Sequence, residues 1–184
     1  FVPLGTKAWM ASVGVANVVE MDWGQQAVYI DPSGTKQARE LTVTCLPCQH
    51  WCARTPWDRN TMLWSSWMTS TAPAGGPGSA PEHSYYFGGD TGYCGSVFAA
   101  IGAAFGHVDV AAIPIGAYGS PSETWFHRTS HMNPEEAAQT RRDLRARHGL
   151  AVHWGTFQLT SEPLLEPPAR LKAALTASEL ADDA

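Results

Sequence analysis

Charge is scarce in this 184-residue chain, and positive charge scarcer. Charged residues make up 16% of it, with 12 Lys and Arg against 17 Asp and Glu, a formal net charge of −5. That balance argues against a nucleic-acid partner, because holding a phosphate backbone takes a basic surface. The one local concentration, Arg141, Arg142, Arg145 and Arg147, reads as the solvated face of a helix over 134–148. Long apolar runs are also missing. A membrane span takes roughly 20 apolar residues. The longest candidates, SVFAAIGAAFG and VDVAAIPIGAY, are broken by Gly, Asp and Pro and suit a helix and a buried strand. Cysteine is limited to Cys45, Cys48, Cys52 and Cys94, three of them within eight residues. So few, in so apolar a chain, predict a reducing compartment rather than a disulfide scaffold, either cytoplasmic or at the periphery of a membrane. Phe1-Val2-Pro3 has neither the basic n-region nor the cleavage site of a secretory leader. The chain opens mid-strand without an initiator Met, so the expectation is a segment whose upstream part lies elsewhere. No internal repeat is visible.

What is present reads as one mixed α/β domain. Hydrophobic residues reach 44%, and the length suits a single core. Short strands are expected at FVPL, NVVEMD, QAVYID, ELTVTCLP and LWSSWMTS, with a helix at TKAWMASVG and a turn at Asp31-Pro32-Ser33-Gly34. Residues 70–84, rich in Pro, Gly, Ser and Ala, read as a flexible insertion. SYYFGG is a strand. CGSVFAAIGAAFG is a helix with Val97, Ile101 and Phe105 on one stripe, and VDVAAIPIGAY a buried strand. Asn133-Pro134-Glu135-Glu136 starts a helix, with Asn as N-cap, Pro at the first position and acids at the positive end of the dipole. That helix is expected to end at Gly149. LAVHWGTF is the next strand, EPPARLKAAL the last helix, and residues 176–184 a polar tail. The domain is placed at 1–175.

Three islands carry the chemistry: LPCQHWC around His50, FGGDTGYC around Asp90 and AVHWGTF around His153. Each sets a metal-binding side chain just past a strand. Imidazole and carboxylate are the protein ligands of a catalytic zinc, which keeps one position open for water. A single carboxylate can bridge two metals. The glycines beside Asp90 allow the backbone to turn sharply and approach a ligand. His50 and His153 lie beside Trp51 and Trp154, apolar neighbours that strengthen a metal's field. A rival set, Cys45, Cys48, His50 and Cys52, has the composition of a structural zinc site. Its ligands crowd into eight residues, where tetrahedral sites draw on two separated pairs. The plainer reading is that the cysteines fill the core.

Taken together, PCQHWCARTPWDRNTMLWSSW, FGGDTGYC, FGHVDVAAIPIGAY, HMNPEEA and VHWGTFQLTSEPLLEPPARL resemble the metallo-β-lactamase superfamily. More narrowly they resemble the N-acyl-phosphatidylethanolamine-hydrolysing phospholipases D, over their C-terminal two-thirds. The resemblance implies an α/β fold that is part of an αβ/βα sandwich: a mixed sheet with helices on its outer face, the N-terminal half of the sandwich missing. It implies a phosphodiesterase with two zinc ions, His50 on one, His153 on the other and Asp90 bridging both. His131 would act beside the phosphodiester as a hydrogen-bond donor or an aid to the leaving group. Trp64, Trp67 and Trp125 are candidates for a lipid-accepting groove or for the core, with Trp125 and Tyr118 named at the substrate. The family's first metal motif, H-x-H-x-D-H, has no match in these residues.

The expectations are therefore specific. In the parent protein the activity is hydrolysis of N-acyl-phosphatidylethanolamine-type lipids to N-acylethanolamine and phosphatidic acid. The segment alone, lacking the second ligand set, is expected to be inactive. Alternatives are a hydrolase of another ester, a lactone or cyclic phosphate, or a non-catalytic remnant. Expected partners are a phospholipid or other phosphodiester, a membrane surface and a second copy of the chain. Half a sandwich would also expose the face that packs on its other half, favouring self-association.

Overall fold

The computed structural model describes residues 1–30, 40–71 and 81–182, apart from the side chains of residue 126 and residues 179–182. The expected Asp31–Gly34 turn and residues 72–80 of the expected insertion lie outside these. In chain order come β1 (Val2–Pro3), α1 (Lys7–Ser12), β2 (Glu20–Met21), β3 (Gln26–Ile30), β4 (Glu40–Leu46), β5 (Ser66–Thr71) and β6 (Ser84–Phe87). Then follow α2 (Gly95–Phe105), β7 (Val108–Pro114), α3 (Thr124–His127), α4 (Pro134–Asp143), β8 (Ala146–Val152) and α5 (Glu166–Asp182). β1 and β2 pair in parallel as a small separate sheet.

The main sheet has six strands in the order β3-β4-β5-β6-β7-β8. Pairing is antiparallel from β3 to β6 and parallel from β6 to β8. This is the expected mixed sheet, and its topology has one decisive consequence. β4, β6, β7 and β8 all run the same way, so their C-terminal ends emerge at one edge. In open α/β sheets that edge is where ligands bind.

Strand alternation sorts side chains onto two faces. On one, Met68, Tyr86, Ala111 and Ile113 join Phe98 and Ile101 of α2, Ala137 of α4 and Leu144 in the core. On the other, Trp67, Phe87 and Leu150 fall in one cross-strand row through Ala112. Phe87 and Leu150 there are exposed.

The Asn133 start of α4 is as read: its side chain accepts from the Glu136 amide at 2.8 Å, and the Glu136 carboxylate accepts from the Asn133 amide at 3.0 Å. The expected end at Gly149 is wrong. α4 stops at Asp143, Leu144 turns fully inward, and Arg145 reverses the chain with φ of +56°. Ala146–Val152 is then taken as the edge strand beside β7. Parallel pairing outweighs the helical pattern, so Arg147 lies on a strand. On α2 the buried positions are Phe98, Ile101 and Gly102, while Val97 and Phe105 pack at the margin. The stretch read as a polar tail from 176 is helical to Asp182.

Candidate metal centre

The three islands meet because their strands share a direction. His50 leaves β4, Asp90 leaves β6 and His153 follows β8 directly. Gln49 ties the first two loops together: its amide donates to Thr91 Oγ1 at 2.9 Å, and its carbonyl accepts from the Gly92 amide at 2.8 Å. The Gln49 side chain reaches on to the Arg128 carbonyl at 3.2 Å, holding the loop that leads to His131. The His131 amide in turn donates to the His127 carbonyl.

At the centre, Asp90 Oδ1 lies 3.0 Å from His153 Nε2, and Asp90 Oδ2 lies 3.9 Å from His50 Nε2. The His131 ring sits between the two imidazoles, its centroid 5.5 Å from that of His50 and 5.2 Å from that of His153. Ligand-capable atoms of His50, Asp90 and His131 all fall within 4.8 Å of one another. His50 Nδ1 is engaged at 2.6 Å with the Trp51 carbonyl, which fixes the ring and turns Nε2 inward. That Nε2 is buried and has no hydrogen-bond partner. A buried polar atom without a partner costs about 1–3 kcal/mol. Facing a carboxylate, with its other nitrogen oriented by a backbone oxygen, it has the setting of a metal-ligating imidazole. The nitrogen and oxygen donors present suit zinc or another first-row cation.

Electrostatics agree with the geometry. The hydrogen bond from His153, with the nearby imidazoles, holds the Asp90 carboxyl below its ordinary range against partial burial. Asp90 raises His153 correspondingly. Burial, then the proximity of His153 and His50, pushes His131 down to about 4. At neutral pH its ring is uncharged, one nitrogen a donor and the other an acceptor. Two backbone conformations are paid for locally. Gly89 has φ of +63°, which glycine adopts without penalty. His153 has φ of +58°, uncommon for a side-chain-bearing residue. Such conformations concentrate at functional sites.

The remaining expected positions separate. Tyr118 is 3% exposed, and its hydroxyl donates to Glu166 Oε1 at 2.8 Å under the Arg170 guanidinium. It anchors α5 to the sheet, and the ring expected at the substrate is buried within the scaffold. Trp125 stands 81% exposed on α3, the turn preceding His131. Trp64 precedes β5, half-buried, its indole donating to the Cys48 carbonyl at 3.0 Å. Trp67 joins the uncovered sheet row. Cys45 and Cys48 are buried free thiols, as the core reading has it. Sequence reasoning missed Gln49 and Thr91 as the bracket between islands; the direct adjacency of Gln49 to His50 and of Thr91 to Asp90 was the available signal. It also missed the contact of Glu162 with the Ala117 amide, 45 residues away in the chain.

Beside His153 opens a cleft of about 500 Å³, walled by Ala117, by the chain from Trp154 to Leu164 and by Pro167. Phe157, Leu159 and Leu164 on it are exposed. Among the described residues no helix is long and apolar enough to cross a membrane.

Known proteins place this geometry. A family model described as a beta-lactamase superfamily domain matches residues 1–154. N-acyl-phosphatidylethanolamine-hydrolyzing phospholipase D 1 of Caenorhabditis elegans is 38% identical over 185 residues, covering 97% of this chain and 47% of the worm protein. The mitochondrial protein of the same name in Saccharomyces cerevisiae is 34% identical over 173 residues, covering 93% and 33%. The chain thus spans less than half the length of these relatives. Among solved structures, CmlA, a diiron β-hydroxylase from Streptomyces venezuelae, superposes with a TM-score of 0.60 at 15% identity over 97% of this chain and 34% of its own, a likeness of fold. The chain belongs to the metallo-β-lactamase superfamily and resembles its N-acyl-phosphatidylethanolamine-hydrolysing phospholipases D.

Proposed function

We propose that this chain supplies one side of a binuclear zinc site that hydrolyses the phosphodiester of an N-acyl-phosphatidylethanolamine-type lipid, giving an N-acylethanolamine and phosphatidic acid. The observation that carries the reading is the convergence of Asp90 with His50 and His153, an orphaned imidazole nitrogen facing a carboxylate. His50 and His153 would each hold one cation through Nε2, with Asp90 between them. Bound zinc supplies a water of lowered pKa and positive charge toward the phosphoryl oxygens. The Asp90 carboxylate would lie between these cations and offset part of their charge. His131, buried and neutral, offers an N–H to a phosphoryl oxygen from between the other two rings. The half-open cleft beside His153, with Phe157, Leu159 and Leu164, gives an acyl chain an apolar wall. Similarity to the worm and yeast phospholipases supports the substrate class.

Ligands outside these 184 residues are required to complete both cations, so the segment alone is inactive. The test is phosphodiesterase assay of the full-length protein with added zinc, on N-acyl-phosphatidylethanolamine, a lactone and a cyclic nucleotide in parallel. Turnover of the lipid that falls at least 100-fold in Asp90→Asn supports the reading. Turnover confined to the lactone or cyclic phosphate refutes the substrate class. Strong Asp90-dependent turnover by residues 1–184 alone refutes the need for further ligands.

A further inference from the structure

One carboxylate near the site is engaged in a way the proposed chemistry does not use. Glu162 lies nine residues beyond His153, at the far end of the loop that walls the cleft. Its Oε1 accepts from the Ala117 amide at 2.7 Å and its Oε2 from the Gly119 amide at 2.9 Å. The Thr160 hydroxyl donates to the same group. Ala117 and Gly119 both have positive φ, +63° and +64°. Left-handed residues of this kind turn successive amides to one side and form a backbone anion hole. Here Glu162 fills it. A second carboxylate repeats the link: Glu123 accepts from the Ser120 amide at 2.7 Å and from the Ser161 hydroxyl. The loop leaving β7 and the loop leaving β8 are thus cross-tied twice.

The two loops also touch at His153 itself. A Cβ on Gly116 would come within 2.4 Å of the His153 carbonyl oxygen. His153 carries the uncommon positive φ, and its ring must keep Nε2 at Asp90. The Gly116 contact restrains one end of the 153–162 loop and the Glu162 clamp restrains the other.

We infer that Glu162 is a positioning residue for His153, seating its carboxylate in the Ala117–Gly119 backbone hole so that the loop after β8 holds the imidazole against Asp90. Its carboxylate is turned to the backbone amides and to Thr160, so it acts through the loop. The inference rests on the metal-site reading above. Glu162→Gln keeps the shape but turns an amide N–H toward a backbone N–H, losing one of the two clamping bonds.

The experiment is zinc affinity by chelator competition on the full-length protein, for wild type, Glu162→Gln, His153→Ala and the double variant, together with amide hydrogen exchange at Ala117 and Gly119. Partners that orient a ligand typically contribute about 10–100-fold in metal affinity. The expected result is about a 10-fold weaker zinc affinity in Glu162→Gln, faster exchange at both amides, and no added loss when His153 is already Ala. Thr160→Val, which removes a single donor, should show the same effects at smaller size and keeps the test open should Glu162→Gln fold poorly. Wild-type affinity in Glu162→Gln, or losses that add fully in the double variant, overturns the inference. Unchanged affinity in His153→Ala overturns the metal-site reading instead, so the two failures are distinguishable.

Discussion

Gly92 is the point at which three loops of the site press together, and adding one methyl group there is the sharpest perturbation the structure offers. A Cβ on Gly92 would lie 2.7 Å from Gln49 Nε2, 2.9 Å from the Arg128 carbonyl oxygen and 3.0 Å from the Thr129 carbonyl carbon. The Gln49 amide can swing away, at the loss of its bond to Arg128. The two backbone atoms cannot, because they belong to the segment that delivers His131. Gly92→Ala must therefore move the His131 loop, the Asp90 loop or both by several tenths of an ångström. Overpacking of this kind costs about 1–3 kcal/mol. In a domain of this size that is about 2–12 °C of melting temperature, at about 2–4 °C per kcal/mol. The larger effect falls on function, since a displacement of about 1 Å costs about 100-fold in rate and a shift of several tenths about 10-fold. The assay is differential scanning calorimetry beside zinc competition and turnover in the full-length protein. A Gly92→Ala protein with wild-type melting temperature, zinc affinity and turnover would refute the packing on which the site's assembly is argued.

Three further outcomes follow from particular groups. Asn133→Ala removes the cap of α4 and should cost about 1 kcal/mol by denaturant titration, leaving zinc affinity unchanged; no loss would contradict the observed capping box. Tyr118→Phe should lower stability by about 1 kcal/mol through its lost bond to Glu166 and leave kcat/KM within about twofold, by the same sealing of its ring from substrate; a 10-fold fall in kcat/KM would return Tyr118 to the site. Burial, with the Asp90 carboxylate adding, pushes the Cys48 thiol up to about 12 from an ordinary 9.0. It should thus resist iodoacetamide at pH 8 while Cys94 labels, read by mass spectrometry. Because the unfolded chain ionises this thiol first, stability should fall as pH rises from 9 toward 12; rapid labelling of native Cys48 would contradict its burial.

The islands were legible because each couples an alternating strand to a metal-binding side chain, and Gly88-Gly89-Asp90 adds the residues a sharp loop needs. Their convergence was not readable from any island alone. It depends on β5 being the one antiparallel strand between β4 and β6, which sends His50 and Asp90 out of the same edge. The α4 start was written in four residues, whereas its end was not: Arg141 to His148 contains no helix breaker, and the strand forms because β7 presents an open edge for parallel pairing. The burial of Tyr118 was not legible either. The positive φ of Ala117 and Gly119 on either side turns the backbone so that the ring meets Glu166 and Arg170 of α5. Glu162 carried no local signal, as a carboxylate in a polar loop looks the same whether solvated or seated in amides.

The proposed activity requires His50, Asp90 and His153 to hold cations together. The direct measurement is anomalous X-ray scattering from crystals of the full-length protein grown with zinc. The prediction is two peaks flanking the Asp90 carboxylate, each at about 2.0–2.2 Å from one of its oxygens, one bonded to His50 Nε2 and the other to His153 Nε2. Zinc bound at Cys45, Cys48 and Cys52, or absent from Asp90 at saturating concentration, would contradict it.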